Sequence, residues 1–163
     1  MKIVIALFLL SMVLSAQNKI VIDETTQKQM LVGYGDRTVF SDSSFKNWFD
    51  EEYIGYKILD EAYERLSVDF EDVKITIVLG TWCSDSRREV PRFFKILDEI
   101  NFPEENTKLI FVNRSKNGLS DEVEGLNIEF VPTIIFYTNK TEIGRIIETP
   151  NETLEEDFIS LLN

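Results

Sequence analysis

The sequence predicts an α/β fold built on a mixed central sheet with helices on both faces. Three observations lead there. Residues 74–79 are an apolar, β-branched run that passes straight into a helix-period run, and residues 107–113 form a second apolar run beyond it. Strand, helix and strand in that order make a right-handed crossover, so the two strands are parallel. Residues 133–137 and 142–149 are two further strand-like runs joined by Thr138-Asn139-Lys140-Thr141, a connection short enough to require an antiparallel hairpin.

The elements follow in chain order. Residues 1–16 (MKIVIALFLLSMVLSA) place a lysine before an apolar stretch that closes on Ser15 and Ala16, the pattern of a secretory signal peptide cleaved after Ala16. Gln17 stands where a lipoprotein signal would carry a cysteine, which argues against a lipid anchor. Residues 17–40 form a lead-in, with short edge strands expected at 19–22 and 28–32 and a turn at Gly33 and Gly35. The domain itself is expected over 41–163. Ser41-Asp42-Ser43-Ser44 is a helix-start cluster, followed at helical spacing by Phe45, Trp48 and Phe49, and Gly55 interrupts. The stripe Phe45, Trp48, Phe49, Tyr53 and Tyr56 reads as core packing. A second helical pattern covers 58–66, with Ile58, Leu59, Ala62 and Leu66 on one face. After the strand at 74–79, the helix at 84–100 presents Val90, Phe93, Phe94, Leu97 and Ile100 on one face, with Pro91 removing a hydrogen bond inside it. Residues 114–127 are a charged loop with one turn near 121–125. Pro150 stops the last strand, and 154–162 closes the chain as a helix with Leu154, Phe158, Leu161 and Leu162 apolar.

Composition removes several function classes. The chain of 163 residues is 44% hydrophobic with twelve Phe, enough for one packed core, and its formal net charge is −12. An acidic chain cannot neutralise a run of phosphates, so nucleic acid is not an expected partner, nor is membrane insertion once the leader is removed. The chain has no histidine and one cysteine. Ser-His-Asp and Cys-His pairs, histidine metal sites and an internal disulfide are therefore excluded, and no metal or cofactor is expected.

That one cysteine, Cys83, falls where the strand at 74–79 turns into the helix. Free N–H groups and the positive end of the helix dipole favour a thiolate there. The plain alternative is a small buried hydrophobe.

Trp82-Cys83-Ser84-Asp85-Ser86, Pro91 in the following helix, and Val131-Pro132-Thr133 opening the third strand occur in order on matching elements. In these residues the chain resembles the thioredoxin superfamily, and from Thr81 to Pro91 the exported bacterial thioredoxin-like proteins. The resemblance runs from residue 74 to 162 and more loosely from 41. It implies a thioredoxin-like fold, a reactive Cys83, a cis bond between Val131 and Pro132, and a substrate platform formed by Trp82, Val131 and Pro132.

Three departures qualify it. Ser86 replaces the second cysteine of the redox pair, Ile77 stands where the family commonly has a buried acid, and Glu148 stands near a usual glycine. A hydroxyl cannot resolve a mixed disulfide, although Ser86 is placed to support the thiolate. The expected function is thus a periplasmic or secreted thiol–disulfide oxidoreductase or isomerase acting as a monothiol. Its partners are protein or peptide thiols and disulfides, and an external low-molecular-weight thiol is the co-substrate that releases them. The alternatives are a non-catalytic peptide- or partner-binding module with Cys83 as a redox-sensitive residue, and a structural protein with Cys83 inert. The sequence does not specify an oligomeric state.

Overall fold

The computed structural model describes residues 18–59, 65–66, 70 and 72–162. The expected leader, 1–16, and the centre of the helix expected at 58–66 lie outside them. Six strands, β1 (Asn18–Ile22), β2 (Gln29–Gly35), β3 (Val73–Leu79), β4 (Thr107–Phe111), β5 (Thr133–Thr138) and β6 (Thr141–Ile147), make one sheet in the order β1-β2-β4-β3-β5-β6. The three α-helices among the described residues are α1 (Lys46–Gly55), α2 (Ser84–Glu99) and α3 (Leu154–Leu162).

The crossover through α2 makes β3 and β4 parallel, with Ile77 opposite Leu109 and Leu79 opposite Phe111. All other pairings are antiparallel. The sheet is therefore mixed, as the spacing of the runs requires.

Alternation along β3 sorts its side chains between two cores. Ile75, Ile77 and Leu79 join Leu109, Phe111, Ile134 and Phe136 in the larger cluster, while Val78 joins Ile110, Val112 and Val131 in the smaller one. The larger cluster also holds Phe45 and Phe49 at α1, Val90, Phe93, Phe94, Ile96 and Leu97 from α2, and Leu154, Phe158 and Ile159 from α3. Its aromatic rings interlock: Phe158 lies 4.9 Å from Phe136 and 5.7 Å from Phe93 between centroids. Each such ring contributes about 1.5–3 kcal/mol by burial alone.

The sequence reading expected helices on both faces. Among the described residues, all three helices share the larger cluster, and the smaller one is closed by Trp82, Cys83, Val123, Leu126 and Ile128, on loops. The expected stretch around 121–125 provides a turn there, with the Glu124 and Leu126 N–H groups bonded to the carbonyls of Asp121 and Val123.

The lead-in differs from expectation too. β2 is an interior strand, paired with β1 on one side and β4 on the other. Gly33 and Gly35 lie within it rather than at a turn: Gly33 has φ 105°, and a Cβ on Gly35 would sit 2.6 Å from the Phe111 ring. The aromatic stripe packs as expected, with Phe40 stacked on Phe49 at 4.3 Å. Pro91 is buried within an unbroken α2, which ends at Glu99 with Ile100 as its cap.

Candidate functional site

The carboxyl ends of β3 and β4 and the start of β5 come together at one end of the sheet, since Leu79 pairs with Phe111 and Val78 with Thr133. Open α/β sheets bind ligands at such a place. Three segments meet there: Gly80-Thr81-Trp82-Cys83 entering α2, Val112-Asn113-Arg114 leaving β4, and Phe130-Val131-Pro132 entering β5.

Cys83 is the N-cap of α2 and is half-buried and free. Its backbone is extended, and its carbonyl accepts the Arg87 N–H at 3.1 Å, the first turn of the helix. The thiol donates to the Val131 carbonyl oxygen at 3.1 Å. The Val131–Pro132 bond is cis. The structure thus brings Cys83, Val131 and Pro132 into one site. Thr133 Oγ1 donates to the Phe130 carbonyl at 2.7 Å, and the Glu148 N–H donates to the Pro132 carbonyl at 2.7 Å, so this turn is tied at both ends. Glu148 has φ 59°, in the left-handed region that favours glycine.

Trp82 is half-buried against the smaller core, and its indole N–H donates to the Val112 carbonyl at 2.8 Å. Its ring passes so close to Gly80 that a Cβ there would meet it at 2.6 Å. Ser86 is fully buried, and its hydroxyl oxygen accepts the Gly80 N–H at 3.2 Å. That bond braces the loop beneath Trp82, whereas the thiol's own bond runs to Val131. Ile77 is fully buried in the larger core, so this position carries no acid beneath the site.

Two residues that no local sequence pattern points to complete the surroundings. Arg114 lies over the Trp82 ring, its guanidinium carbon 4.8 Å from the centroid. It is clamped by Asp23, with Nε to Oδ1 at 2.8 Å and Nη2 to Oδ2 at 2.7 Å. Asp23 is 1% exposed and also accepts from the Thr25 N–H and the Thr26 hydroxyl. The Arg114 contact, then the Thr26 hydroxyl, hold its carboxyl well below the usual carboxylate range. The Asp-x-Thr-Thr pattern signals a turn, but nothing local in sequence shows that this acid is buried or which cation it meets.

The charges of the first helical turn divide cleanly. Arg88 binds Asp85 at 2.8 Å and Glu89 at 2.5 Å, which removes it from the thiol and compensates Asp85. Arg87 folds back instead, with Nε donating to the Thr81 carbonyl at 2.5 Å and the guanidinium 5.9 Å from the Trp48 ring. Burial lowers its pKa, and the charge of a Cys83 thiolate acts in the opposite direction.

A cleft of about 490 Å³ lies between the β1–β2 hairpin and the loop after β4, lined by Val21, Ile22, Met30, Val32 and Leu119 together with Arg114. Asp23 and Glu24 also line it, so its charged residues are two carboxylates and one arginine. Among the described residues, no group of three or more His, Cys, Asp or Glu side chains is placed to hold a metal ion. No helix among them is long and apolar enough to cross a membrane.

No family model and no curated protein matches the chain. Among solved structures, the chain is similar to a protein of unknown function from Pseudomonas aeruginosa, with a TM-score of 0.54 at 15% identity, covering 76% of each chain. It is also similar to an HIV epitope scaffold, with a TM-score of 0.52 at 14% identity, covering 79% of this chain and 83% of that one. These likenesses concern the fold alone: a mixed α/β architecture with a six-stranded sheet.

Proposed function

We propose that this chain is a thioredoxin-like thiol–disulfide exchange protein that works as a monothiol through Cys83. The observation that carries the reading is the 3.1 Å approach of Cys83 Sγ, at the start of α2, to the carbonyl beside the cis Val131–Pro132 bond. Backbone groups beside the sulfur can pair with an extended partner segment. Trp82 and the 48% exposed Phe130 provide apolar contact for that segment. The apolar leader at 1–16 supports export to the periplasm or beyond, where disulfides persist.

The cycle balances with an external thiol. The Cys83 thiolate attacks one sulfur of a partner disulfide, and the other sulfur leaves as a thiolate. An external low-molecular-weight thiolate then attacks the partner's sulfur in the mixed disulfide and releases the Cys83 thiolate. A second external thiolate frees the partner's thiolate and forms the external disulfide, so two electrons pass to the partner. Where a different thiolate of the partner attacks the partner's sulfur in the mixed disulfide, it forms a new pairing, expels the Cys83 thiolate, and the result is isomerisation.

A second reading is a partner-binding module in which Cys83 is a redox-sensitive residue. Ser86 favours it, because the resolving thiol is absent and the hydroxyl is already engaged with Gly80. Comparing wild type with Cys83→Ala and Cys83→Ser, with a small disulfide and glutathione, separates the two. The exchange reading expects Cys83-dependent turnover. Wild-type turnover no faster than that of Cys83→Ala rules out the exchange reading.

A further inference from the structure

Every described arginine except Arg87 has a carboxylate within ion-pair distance: Arg37 has Asp98, Arg65 has Glu156, Arg88 has Asp85 and Glu89, Arg92 has Glu52, Arg114 has Asp23 and Arg145 has Glu142. Arg87 is half-buried, spends only Nε on the Thr81 carbonyl, and leaves both terminal nitrogens unbonded among the described residues. Among the described arginines, Arg87 alone is without a carboxylate, in a chain of formal charge −12. Desolvating it carries a cost that an anion at the site would offset.

Its position gives this meaning. Arg87 begins the first turn closed by the Cys83 carbonyl, and its side chain returns to Thr81, two residues before the thiol. Arg114 stands over the ring of Trp82, the residue next to Cys83. Asp23 holds Nε and Nη2 of Arg114, so that cation is already paired. When Cys83 is a thiolate, its own charge answers Arg87. Once Cys83 forms a disulfide that charge is gone, and a carboxylate on the bound partner is what can replace it.

We propose that Arg87 is an anion-receiving group at Cys83, so that the thiols and disulfides it favours carry a carboxylate beside the reacting sulfur. The inference rests on Cys83 being the reacting thiol, but its test needs no turnover. Alkylation of Cys83 by iodoacetate, which carries a carboxylate, is compared with alkylation by neutral iodoacetamide. The ratio of the two rates cancels the thiolate fraction and reports the local charge.

In wild type the ratio exceeds that of free cysteine. In Arg87→Gln it falls about two- to fourfold, the range one unit charge produces over separations on the order of 5–10 Å in a mostly aqueous setting. Arg87→Lys restores most of it, and Lys140→Gln, on the exposed β5–β6 turn, leaves it unchanged. Should Arg87→Gln fail to fold, a salt series on wild type serves: the ratio falls towards that of free cysteine near 1 M salt, where the screening length is about 3 Å. A wild-type ratio equal to that of free cysteine, a ratio insensitive to both Arg87→Gln and salt, or an equal drop in Lys140→Gln overturns the proposal. Slow turnover with an intact ratio counts against the exchange cycle only.

Discussion

Replacing Gly80 by Ala tests whether the loop entering α2 is built around the Trp82 ring. The added Cβ would lie 2.6 Å from Cε2, 2.7 Å from Nε1 and 2.9 Å from Cζ2 of Trp82. Ordinary contact is near 3.7 Å, so the ring must retreat by about 1 Å. The indole N–H to Val112 carbonyl bond is 2.8 Å, and a shift of that size takes it beyond hydrogen-bonding range. Overpacking costs about 1–3 kcal/mol and the lost bond about 0.5–1.5 kcal/mol. The smaller entropy of the unfolded Ala chain returns about 0.4–1 kcal/mol. The net loss is centred near 2 kcal/mol, which for a chain of this size lowers Tm by about 4–8 °C. Urea unfolding followed by far-ultraviolet circular dichroism measures the stability. Trp82 emission in a Trp48→Phe background reports the displaced ring, since these are the two tryptophans in the chain. A change below about 0.5 kcal/mol with unaltered emission would refute the reasoning, because the ring would then have room the geometry denies it.

Phe158→Ala removes a fully buried ring that touches Phe70, Phe93 and Phe136, and is expected to cost about 3–5 kcal/mol in chemical denaturation. Asp23 has a depressed pKa in the folded protein, so its stabilisation is complete above the unfolded value near 3.9 and is lost as pH falls through the folded value. Asp23→Asn is therefore expected to be less stable than wild type at neutral pH, with a gap that narrows below about pH 4; a gap constant with pH in parallel urea titrations would contradict this. Ser86→Cys is expected to confer insulin reduction in the presence of dithiothreitol beyond that of wild type, on a protein weakened by about 1 kcal/mol through loss of the hydroxyl acceptor for the Gly80 N–H.

Strands β3, β4 and β5, the hairpin to β6, and helices α2 and α3 were legible because each has one dominant signal. Apolar β-branched runs mark the strands, and Val90, Phe93, Phe94 and Leu97 mark one helical face. β2 was misjudged as an edge because its partner β4 lies more than seventy residues away, and pairing at that distance leaves no local trace. Gly33 and Gly35 carry the composition of a turn, yet the approach of Phe111 explains the second of them. At the site, Cys83, Trp82, Val131 and Pro132 could be found from motif and order. Arg114 and Asp23 could not, since a bidentate ion pair across residues 23 and 114 is a property of the folded sheet alone. Ser86 was assigned to the thiolate by its spacing from Cys83, and its buried bond to Gly80 becomes visible only when the loop path is known.

That bond bears on why the site holds a single thiol. Ser86 Oγ accepts the Gly80 N–H, and Gly80 is the residue whose missing side chain lets Trp82 lie close. Sulfur is a weak acceptor, so a cysteine at position 86 would leave the Gly80 N–H poorly satisfied inside a buried loop. Ile77, fully buried in the larger core, adds no carboxylate that could take a proton from a second thiol there. Serine at 86 and isoleucine at 77 therefore agree with one another: one holds the loop with a hydroxyl and the other adds only apolar surface to the larger core. The charged groups around this loop are Arg87, on the Thr81 carbonyl, and Arg114, clamped by Asp23. On the proposed reading, the polar assistance that a dithiol protein keeps beneath its thiols has been moved to the face that meets the partner, which is where a monothiol needs it.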